Sequence, residues 1–569
     1  MNDYWIGVPS QDVLTATNAP SAVSNAGRVY AINGRTRSVL YRLASPEIQE
    51  SANFGFFITN LGDVNGDGRA DLIVGTDAQD TTAAGAPCRP PAAGCNENQG
   101  KAWVFSGRTA ALLYAINNPN PQPDARFGSR TGRAGDLNGD GVAESIVGAS
   151  NNDVPAGCGE ATPVPTGCRK NQGQAFIFDG RTGNLFRTLN LPASDQSSAT
   201  CSTACGGFGL SVQGPGDVNG DGITDQLVNA SSLSYTENGT VCTPPGGGCL
   251  AGVGAMYLFS GANGAVLARI DDPAPEAGAT FGFQDAAPLS PGDVNGDGRA
   301  DLYANGFSQD GRAGESQGRM WVFDGRATVE NPARHGVVLY EPKDPTPTFG
   351  GQCCFALDRT DYNKDGRPDL YVGASPHHAG GVQSGGTYVF DGRNGTLLRA
   401  FELPPGIGQA GAGSFANLGS NLGWSVAAPG DLNGDGEPDY VAGAPFHDVG
   451  DDKDAGASFV FLSKVPSAPG PPPRRNGGIA PFSGCPSLTA NVIRGSAAGG
   501  RITGTPLGDR IFGGTGNDVV DGLAGDDCID LGPGTDRSQG GLGNDLMLGG
   551  LGEDRMSGSS GNDVVRGGS

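Results

Sequence analysis

The sequence has few of the residues from which catalytic centres are commonly built, and it lacks long apolar segments. Histidine occurs 4 times, and charged residues make up 17% of the 569 residues. Neither His-Glu-x-x-His nor a phosphate-binding P-loop is present, and no run of about 20 apolar residues could cross a bilayer. We therefore expect no transmembrane segment, and we predict no catalytic residues and no enzymatic activity.

Positive charge is also scarce, which bears on the choice of partner. The formal net charge is −23 at pH 7, so nucleic acids and anionic membrane surfaces would be repelled. We therefore expect no nucleic-acid partner, whereas the same charge suits a protein that collects divalent cations. The first residues show no basic start and apolar core, so no signal peptide is visible.

Glycine and cysteine are abundant. The 98 glycines predict short strands and many turns in place of long helices. Most of the 12 cysteines occur as close pairs in Gly/Pro-rich stretches, which indicates disulfides and an oxidising compartment; a zinc site is the alternative, but no Cys-x-x-Cys occurs. The close pairs are Cys88/Cys95, Cys158/Cys168, Cys201/Cys205 and Cys242/Cys249; Cys353 and Cys354 are adjacent, and Cys485 and Cys528 are left for each other.

One nine-residue pattern, Asp-x-Asn-x-Asp-Gly-x-x-[Asp/Glu], occurs six times. Side-chain oxygens at positions 1, 3, 5 and 9, with the main-chain carbonyl of position 7, match the oxygen-rich shell that calcium prefers. A polar turn without metal is the alternative, but six copies with the same oxygens favour a metal site. The predicted ligands are Asp63, Asn65, Asp67, Arg69, Asp71; Asp136, Asn138, Asp140, Val142, Glu144; Asp217, Asn219, Asp221, Ile223, Asp225; Asp293, Asn295, Asp297, Arg299, Asp301; Asp361, Asn363, Asp365, Arg367, Asp369; and Asp431, Asn433, Asp435, Glu437, Asp439.

These loops differ from an EF-hand at position 12. An EF-hand has a bidentate Glu there and a helix on each side, whereas the residue here is Val or Ala in every copy. Each loop is followed by a short apolar run bounded by glycine, such as Asp71-Leu72-Ile73-Val74-Gly75, which is typical of a buried strand. We therefore predict that each loop joins two strands.

The loops lie within a repeat of about 70 residues that predicts four strands per unit, a period typical of a β-propeller blade. A Phe-Gly step, for example Phe54-Gly55, opens most units, and a Gly-Ala-Pro-like step, for example Gly443-Ala444-Pro445, ends the second strand. Residues 3–45 align only from the middle of a unit, with Asp3 at loop position 9. We therefore expect seven blades, the first truncated at its N-terminus, and a first strand and signal peptide encoded upstream.

The Phe-Gly step, the oxygen loop and the Gly-Ala-Pro-like step together resemble the FG-GAP repeats of integrin α-subunit propellers and their bacterial relatives. The resemblance covers about residues 1–465. It implies that the metal loops lie on the lower face and stabilise the blades, and that ligands bind loops on the upper face. Those upper loops carry the cysteine pairs, and short disulfide hairpins there would lower the ordering cost of binding.

The C-terminal residues have a period of nine instead. Glycine-rich steps such as Gly513-Gly514-Thr515-Gly516-Asn517-Asp518 resemble the RTX nonapeptide of hemolysin-type proteins, which implies a parallel β-roll that binds calcium. An apolar residue follows each aspartate by two, except at Ser538. A disordered Gly-rich tail is the alternative, but it would not keep aspartates in register. The predicted ligands are Asp509, Asp518, Asp527, Asp536, Asp545, Asp554 and Asp563.

The predicted fold is therefore all-β, with a propeller at 1–465, a Pro/Gly-rich linker at 466–484 and a β-roll at 485–569. The predicted function is a secreted or cell-surface calcium-binding protein that mediates adhesion or ligand binding, with an unknown protein or glycan partner on the upper face. The alternative is an accessory or remodelled part of a secreted glycan- or lipid-acting hydrolase whose catalytic part is missing.

Overall fold

The computed structural model describes the strands and most of the loops that join them. The described residues are 3–13, 22–158, 167–196, 206–242, 247–282, 290–306, 319–331, 337–340, 357–374, 378–379, 382–383, 385–403, 420–447, 456–463, 491–495, 499–506, 508–525, 527–543, 545–550, 552–560 and 563–566. The chain forms two compact units, Met1–Pro466 and Ser467–Ser569. The predicted linker at 466–484 lies outside the described residues, and its boundaries stay a prediction.

The first unit contains seven antiparallel sheets that follow one another along the chain, so the seven-bladed propeller is confirmed. Blade 1 has β1 (Tyr4–Val8), β2 (Arg28–Ile32) and β3 (Val39–Ala44); blade 2 has β4 (Phe57–Gly62), β5 (Asp71–Thr76), β8 (Lys101–Phe105) and β9 (Leu112–Ile116), with the hairpin β6 (Thr81–Thr82) and β7 (Cys95–Asn96). Blade 3 has β10 (Arg130–Gly135), β11 (Glu144–Ala149), β12 (Gln174–Phe178) and β13 (Leu185–Leu189); blade 4 has β14 (Phe208–Gly216), β15 (Asp225–Ala230), β18 (Ala255–Phe259) and β19 (Val266–Asp271), with the hairpin β16 (Tyr235–Thr236) and β17 (Cys249–Leu250).

The last three blades vary more. Blade 5 has β20 (Leu302–Gly306), β21 (Arg319–Asp324) and β22 (Val337–Tyr340); blade 6 has β23 (Leu357–Thr360), β24 (Asp369–Ala374), β27 (Gly386–Phe390) and β28 (Leu397–Glu402), with the hairpin β25 (His378–Ala379) and β26 (Val382–Gln383); blade 7 has β29 (Ser425–Gly430), β30 (Asp439–Ala444) and β31 (Ala457–Phe461). Helix is almost absent from the described residues: they contain the short α1 (Gly325–Glu330) and a 3-10 turn at Ala193–Asp195.

The Phe-Gly step anchors the cores of blades 2 to 5 through its phenylalanine. The ring of Phe54 is fully buried, with its centroid 5.8 Å from that of Trp103 and 5.9 Å from that of Phe105 on the third strand of the same blade. Edge-on packing at this distance is the favourable arrangement for aromatic pairs. Phe127, Phe208 and Phe281 repeat it against their own third strands.

The glycines of the repeat allow adjacent blades to approach closely. A Cβ atom on Gly75, the last residue but one of the second strand of blade 2, would lie 2.0 Å from the carbonyl oxygen of Gly128, the Phe-Gly glycine of blade 3. The pair Gly148 and Gly209 repeats the contact between blades 3 and 4, at 1.9 Å. Only glycine leaves room for such backbone packing, so two motifs that are far apart in the sequence form one junction.

The second unit is a parallel β-solenoid of about four turns with two sheets. The first sheet contains β32 (Asn491–Arg494), β34 (Asp509–Phe512), β36 (Cys528–Asp530), β38 (Leu546–Leu548) and β40 (Val564–Arg566); the second contains β33 (Arg501–Thr503), β35 (Val519–Asp521), β37 (Arg537–Leu542) and β39 (Arg555–Ser560). Neighbouring strands pair residues 18 apart, such as Ile511 with Ile529. Two nonapeptides therefore make one turn, and the apolar column forms the core between the sheets.

Candidate metal centres

The oxygen loops all lie at one end of the blades. In blades 2, 3, 4, 6 and 7 the loop connects the first and second strands, and in blade 5 it directly precedes β20, whereas the segments with paired cysteines connect the second and third strands. Successive connections of an antiparallel sheet alternate between its two ends. The candidate metal loops and the disulfide loops therefore lie on opposite faces of the propeller.

Main-chain N–H groups within each loop organise the position 1 carboxylate. Asp63 Oδ1 accepts hydrogen bonds from the N–H groups of Gly66 and Asp67 at 2.7 and 2.9 Å, and Oδ2 accepts one from Gly68 at 2.8 Å. Gly66 and Gly68 have positive φ, which lets the turn close tightly. The loops at Asp136, Asp217, Asp293 and Asp431 repeat this three-bond arrangement.

The position 9 acid links the two ends of the loop to the rest of the blade. Asp71 Oδ2 accepts the N–H groups of Val64 and Asn65 at 2.9 and 3.2 Å, and Oδ1 accepts that of Gly107 at 3.0 Å. Gly107 lies in the turn after the third strand, so the acid holds two connections together. The N–H groups that serve the other position 9 acids are those of Gly180, Gly261, Gly325, Gly392 and Ser463.

Sequence analysis missed the role of this second turn, although its Gly-Arg signal recurs. A Cβ atom on Gly107 would lie 1.8 Å from the carbonyl oxygen of Ala70, and Gly392 would meet Pro368 in the same way at 1.7 Å. Glycine is therefore required in this turn, because a side chain would collide with the loop carbonyl and displace the N–H that binds the acid. In blade 3 the following Arg181 also forms an ion pair with Asp140 of the loop, at 3.1 Å.

Burial and main-chain hydrogen bonds shift the pKa values of the loop acids in opposite directions. Burial raises the pKa of Asp225 to about 6 and that of Asp301 to about 7, against hydrogen bonds from main-chain N–H groups. At position 1 of the last loop, the N–H groups led by Gly436 lower the pKa of the half-buried Asp431. A buried carboxylate beside exposed ionised ones favours a cation in the loop, because the cation offsets the cost of the buried charge.

The roll presents its aspartates in two stacked columns. From Asp527 onward, each Oδ1 accepts the N–H of the aspartate 18 residues earlier; Asp536 Oδ1, for example, accepts that of Asp518 at 2.7 Å. The Oδ2 atoms of Asp518, Asp536 and Asp554 are buried and have no hydrogen-bond partner. Burial, and then repulsion from Asp554 and Asp518, raises the pKa of the Asp536 carboxyl. Unpartnered buried oxygens of this kind fit a bound cation.

Asp509, the first aspartate of the series, differs from these three. Thr505 donates its N–H to Asp509 Oδ2 at 2.5 Å, and its hydroxyl lies 3.1 Å from both carboxylate oxygens. Thr505 stands where Gly514 stands in the next repeat. Asp509 thus has a side-chain donor within its own repeat, and its oxygens fit a cation less well than those of Asp518.

In neither unit do acids alone enclose a metal. Within the described ranges, no group of three or more His, Cys, Asp or Glu side chains is placed to hold an ion by itself. In the propeller loops, position 3 is an amide: Asn65 Oδ1 accepts from the N–H of Asp67, while its Nδ2 lies 3.0 Å from Asp67 Oδ2. Calcium there would need the position 1, 5 and 9 carboxylates together with the amide and carbonyl oxygens, a mixed set that calcium accepts.

Three predicted disulfides are present on the face opposite the loops, namely Cys88–Cys95, Cys158–Cys168 and Cys242–Cys249. Cys528 is disulfide-bonded as well, but Cys485, Cys201, Cys205, Cys353 and Cys354 lie outside the described residues. Glutamines at the ends of the fourth-strand segments hold these loops: Gln49 Oε1 accepts the N–H of Asp80 and its Nε2 donates to the Asp80 carbonyl, both at 2.9 Å. Gln122 forms the same two hydrogen bonds with the main chain of Asp153. Both glutamines end a Pro-x-x-Gln sequence, which is the pattern by which they could have been found.

No catalytic grouping emerges among the described side chains. His447 Nδ1 lies 2.8 Å from the hydroxyl of Ser420, without a carboxylate partner in the hydrogen bonds of the described residues. One stretch, 314–318, does fit the Gly-x-Ser-x-Gly pattern of serine hydrolases. It corresponds in the repeat to Asn98-Gln99-Gly100 before the third strand, and it lies outside the described residues.

Comparison with known proteins agrees with both sets of repeats. Residues 361–442 match the FG-GAP-like repeat, and residues 503–537 and 539–569 match the RTX calcium-binding nonapeptide repeat. The chain carries FG-GAP-like repeats and RTX calcium-binding repeats. Both indicate that the protein binds Ca²⁺, as predicted.

Two groups of relatives match part of the chain. Phosphatidylinositol-glycan-specific phospholipase D of Rattus norvegicus is 30% identical over 265 residues, 43% of this chain and 28% of the relative. Integrin alpha-11 of Homo sapiens is 28% identical over 198 residues, 34% and 14% of the two chains. Human phosphatidylinositol-glycan-specific phospholipase D is 32% identical over 185 residues, 31% and 20%. The chain thus spans less than a third of the length of these relatives.

Proposed function

We propose that the protein is an extracellular adhesion or ligand-binding protein in which calcium stabilises the fold and the FG-GAP propeller supplies the binding surface. The observation that carries the proposal is the separation of the two faces. Metal loops occupy one end of the blades, and stiffened, variable loops occupy the other. The likeness to integrin alpha-11 and the paired cysteines support a ligand-binding role outside the cell. Among the described residues, no helix is long and apolar enough to span a bilayer.

The individual loop residues listed above are the proposed calcium ligands of the propeller. In the RTX roll, the proposed ligands are Asp518, Asp527, Asp536, Asp545, Asp554 and Asp563, and Asp509 is the weakest candidate because of Thr505. Calcium bound at these sites would offset the repulsion of the buried carboxylates. We propose that the chain itself is not an enzyme, so calcium has a structural role and no catalytic one.

The upper face offers a polar cavity of about 310 Å³ between the segment that connects blades 2 and 3 and the disulfide loop of blade 3, lined among others by Asp124, Arg126 and Lys170. Arg126 is partly exposed and forms an ion pair with Asp77 at 3.1 Å. Polar side chains on stiffened loops suit a protein or glycan ligand, because little ordering cost remains on binding.

Binding of the full chain to arrays of glycans and matrix proteins, with calcium and with EGTA, tests the proposal. We expect calcium-dependent binding that Arg126→Ala weakens by about tenfold. Arg326→Ala is the matched control, because Arg326 is an exposed arginine on α1 at the opposite end of the blades. Binding that persists in EGTA at a temperature where only the calcium-loaded propeller stays folded, or that both variants reduce equally, would contradict the proposal.

The second candidate is an accessory part of a hydrolase. The likeness to phosphatidylinositol-glycan-specific phospholipase D of Rattus norvegicus favours it. Incubating the chain with phosphatidylinositol-glycan-anchored protein would test for activity of its own. Release of the protein from its anchor would overturn the non-catalytic proposal, whereas tight binding without release would favour the accessory role.

A further inference from the structure

Metal loops of adjacent blades form polar contacts at some blade junctions and only apolar ones at others. Loops 1 to 6 are named here by their first residues, Asp63, Asp136, Asp217, Asp293, Asp361 and Asp431. Where a contact exists, it joins position 7 of the later loop to the segment at positions 2–4 of the earlier loop. The residue type at position 7 therefore distinguishes the junctions.

The contact is closest between loops 4 and 5. Arg367, at position 7 of loop 5, donates from Nη1 to the carbonyl oxygen of Val294 at 3.1 Å and also to that of Asn295. A Cβ atom on Gly296, at position 4 of loop 4, would lie 2.6 Å from Arg367 Nη2. The guanidinium group therefore covers the segment between the predicted ligands Asp293, Asn295 and Asp297.

The two neighbouring junctions use the same positions. Arg299 of loop 4 lies over Gly220 of loop 3, whose Cβ would be 2.9 Å from the guanidinium group, and Nη1 is 3.5 Å from the Val218 carbonyl. Between loops 5 and 6 the polarity is reversed: Lys364, at position 4, forms an ion pair with Glu437, at position 7, at 2.9 Å.

Loops 1, 2 and 3 lack these contacts at their shared junctions. Position 7 is Val142 in loop 2 and Ile223 in loop 3, and both side chains pack against the blade cores. At position 4, a Cβ atom on Gly66 or Gly139 would have nothing within 4 Å in the described structure. In the described part of the chain, loops 1 and 2 thus lack a polar contact at these positions and share apolar clusters with their neighbours, whereas loops 3 to 6 form a series connected by polar contacts.

We propose that loops 3 to 6 bind calcium cooperatively, whereas loops 1 and 2 bind it independently. The proposal rests on calcium binding by these loops. Calcium that fixes the position 7 carbonyl also fixes its side chain, which holds the ligand-bearing segment of the preceding loop. Coupling between two sites is reciprocal, so each loop raises the calcium affinity of its connected neighbour. Position 7 residues Arg299, Arg367 and Glu437 are positioning residues for the adjacent loop.

Calcium titration of the full chain, followed by hydrogen exchange of peptides from each loop, tests the proposal. In the wild type we expect loops 3 to 6 to become protected over one narrow calcium range. Arg367→Val, which gives loop 5 the kind of residue found in loop 2, should raise the calcium midpoint of loop 4 by about fivefold or more. Arg69→Val is the control, because it makes the same change in loop 1 without touching these junctions.

Charge reversal separates coupling from general destabilisation. Lys364→Glu should uncouple loops 5 and 6, and Lys364→Glu with Glu437→Lys should restore the joint transition. Independent titration of loops 3 to 6 in the wild type, or unchanged midpoints in Arg367→Val, would overturn the coupling. If no loop gains calcium-dependent protection, the proposal that the propeller loops bind calcium is wrong. That result is distinguishable from independent titration and from unchanged midpoints, because in both of those the loops still gain protection.

Discussion

The propeller loops and the roll both combine aspartate with glycine, but they satisfy their carboxylates differently. In the propeller, Asp63 and Asp71 receive N–H donors from their own loop and from the adjacent turn. In the roll, the Oδ2 atoms of Asp518, Asp536 and Asp554 are buried and have no hydrogen-bond partner. An unpartnered buried oxygen costs far more than a lost surface contact. The roll should therefore need calcium to fold, whereas in the propeller calcium should mainly add stability to a fold that forms without it.

Removal of calcium should have the largest effect and tests this comparison directly. In EGTA we expect the roll to unfold first, because its stacked carboxylates then repel one another and its glycines regain conformational entropy. The propeller should stay folded with a lower melting temperature. Hydrogen exchange at 509–566 and at 57–116 would measure both units in one sample. Simultaneous loss of protection at the same calcium concentration would refute the distinction.

Gly107→Ala should be the most damaging single change in the propeller loops. The new Cβ would overlap the Ala70 carbonyl and displace the N–H that serves Asp71. We expect a loss of about 2–4 kcal/mol in the free energy of unfolding at saturating calcium. Gly68→Ala is the matched control. It has open space around it and positive φ, so it should lose only about 1–2 kcal/mol. Equal losses in chemical denaturation would mean that the turn is not needed to hold the loop.

Ser538→Ala should stabilise the roll. Ser538 lies in the core column between Val520 and Met556, and its buried hydroxyl has no hydrogen-bond partner. Removing that group should raise the free energy of unfolding by about 1 kcal/mol. The gain should appear in the calcium-loaded transition of the roll, with the propeller transition unchanged. A destabilised roll would show that the hydroxyl has a role in calcium binding.

The smallest expected effect concerns pH and the junction of blades 6 and 7. Burial raises the pKa of Asp358 to about 6, although its carboxylate accepts the Ala428 N–H at 2.6 Å. Because the pKa in the folded protein is above its ordinary value, the stability that the carboxyl contributes is complete near pH 4 and decreases as pH rises through 6. The melting temperature of Asp358→Asn, taken relative to that of the wild type, should therefore be higher at pH 7.5 than at pH 5. A difference that does not change with pH would contradict the shifted pKa.

Periodicity alone predicted most of the architecture. The Phe-Gly spacing fixed the positions of the blades, and the nonapeptide period placed each aspartate and apolar column of the roll. These predictions succeeded because strand alternation and glycine-dependent turns are local properties that repeat. Close cysteine spacing likewise predicted three disulfides, since loops of this length leave few other partners.

Contacts between segments that are distant in the sequence were not predictable in this way. Gly107 serves Asp71 from 36 residues away, and nothing in either segment alone reveals the pairing. The close approach of Gly75 to Gly128 likewise requires two blades side by side. The sequence determined which residues repeat, because local geometry demands them. Only the tertiary structure decided how the repeats touch: the packing of blade against blade brings Arg367 over Gly296, whereas Val142 packs in the apolar core that blades 2 and 3 share.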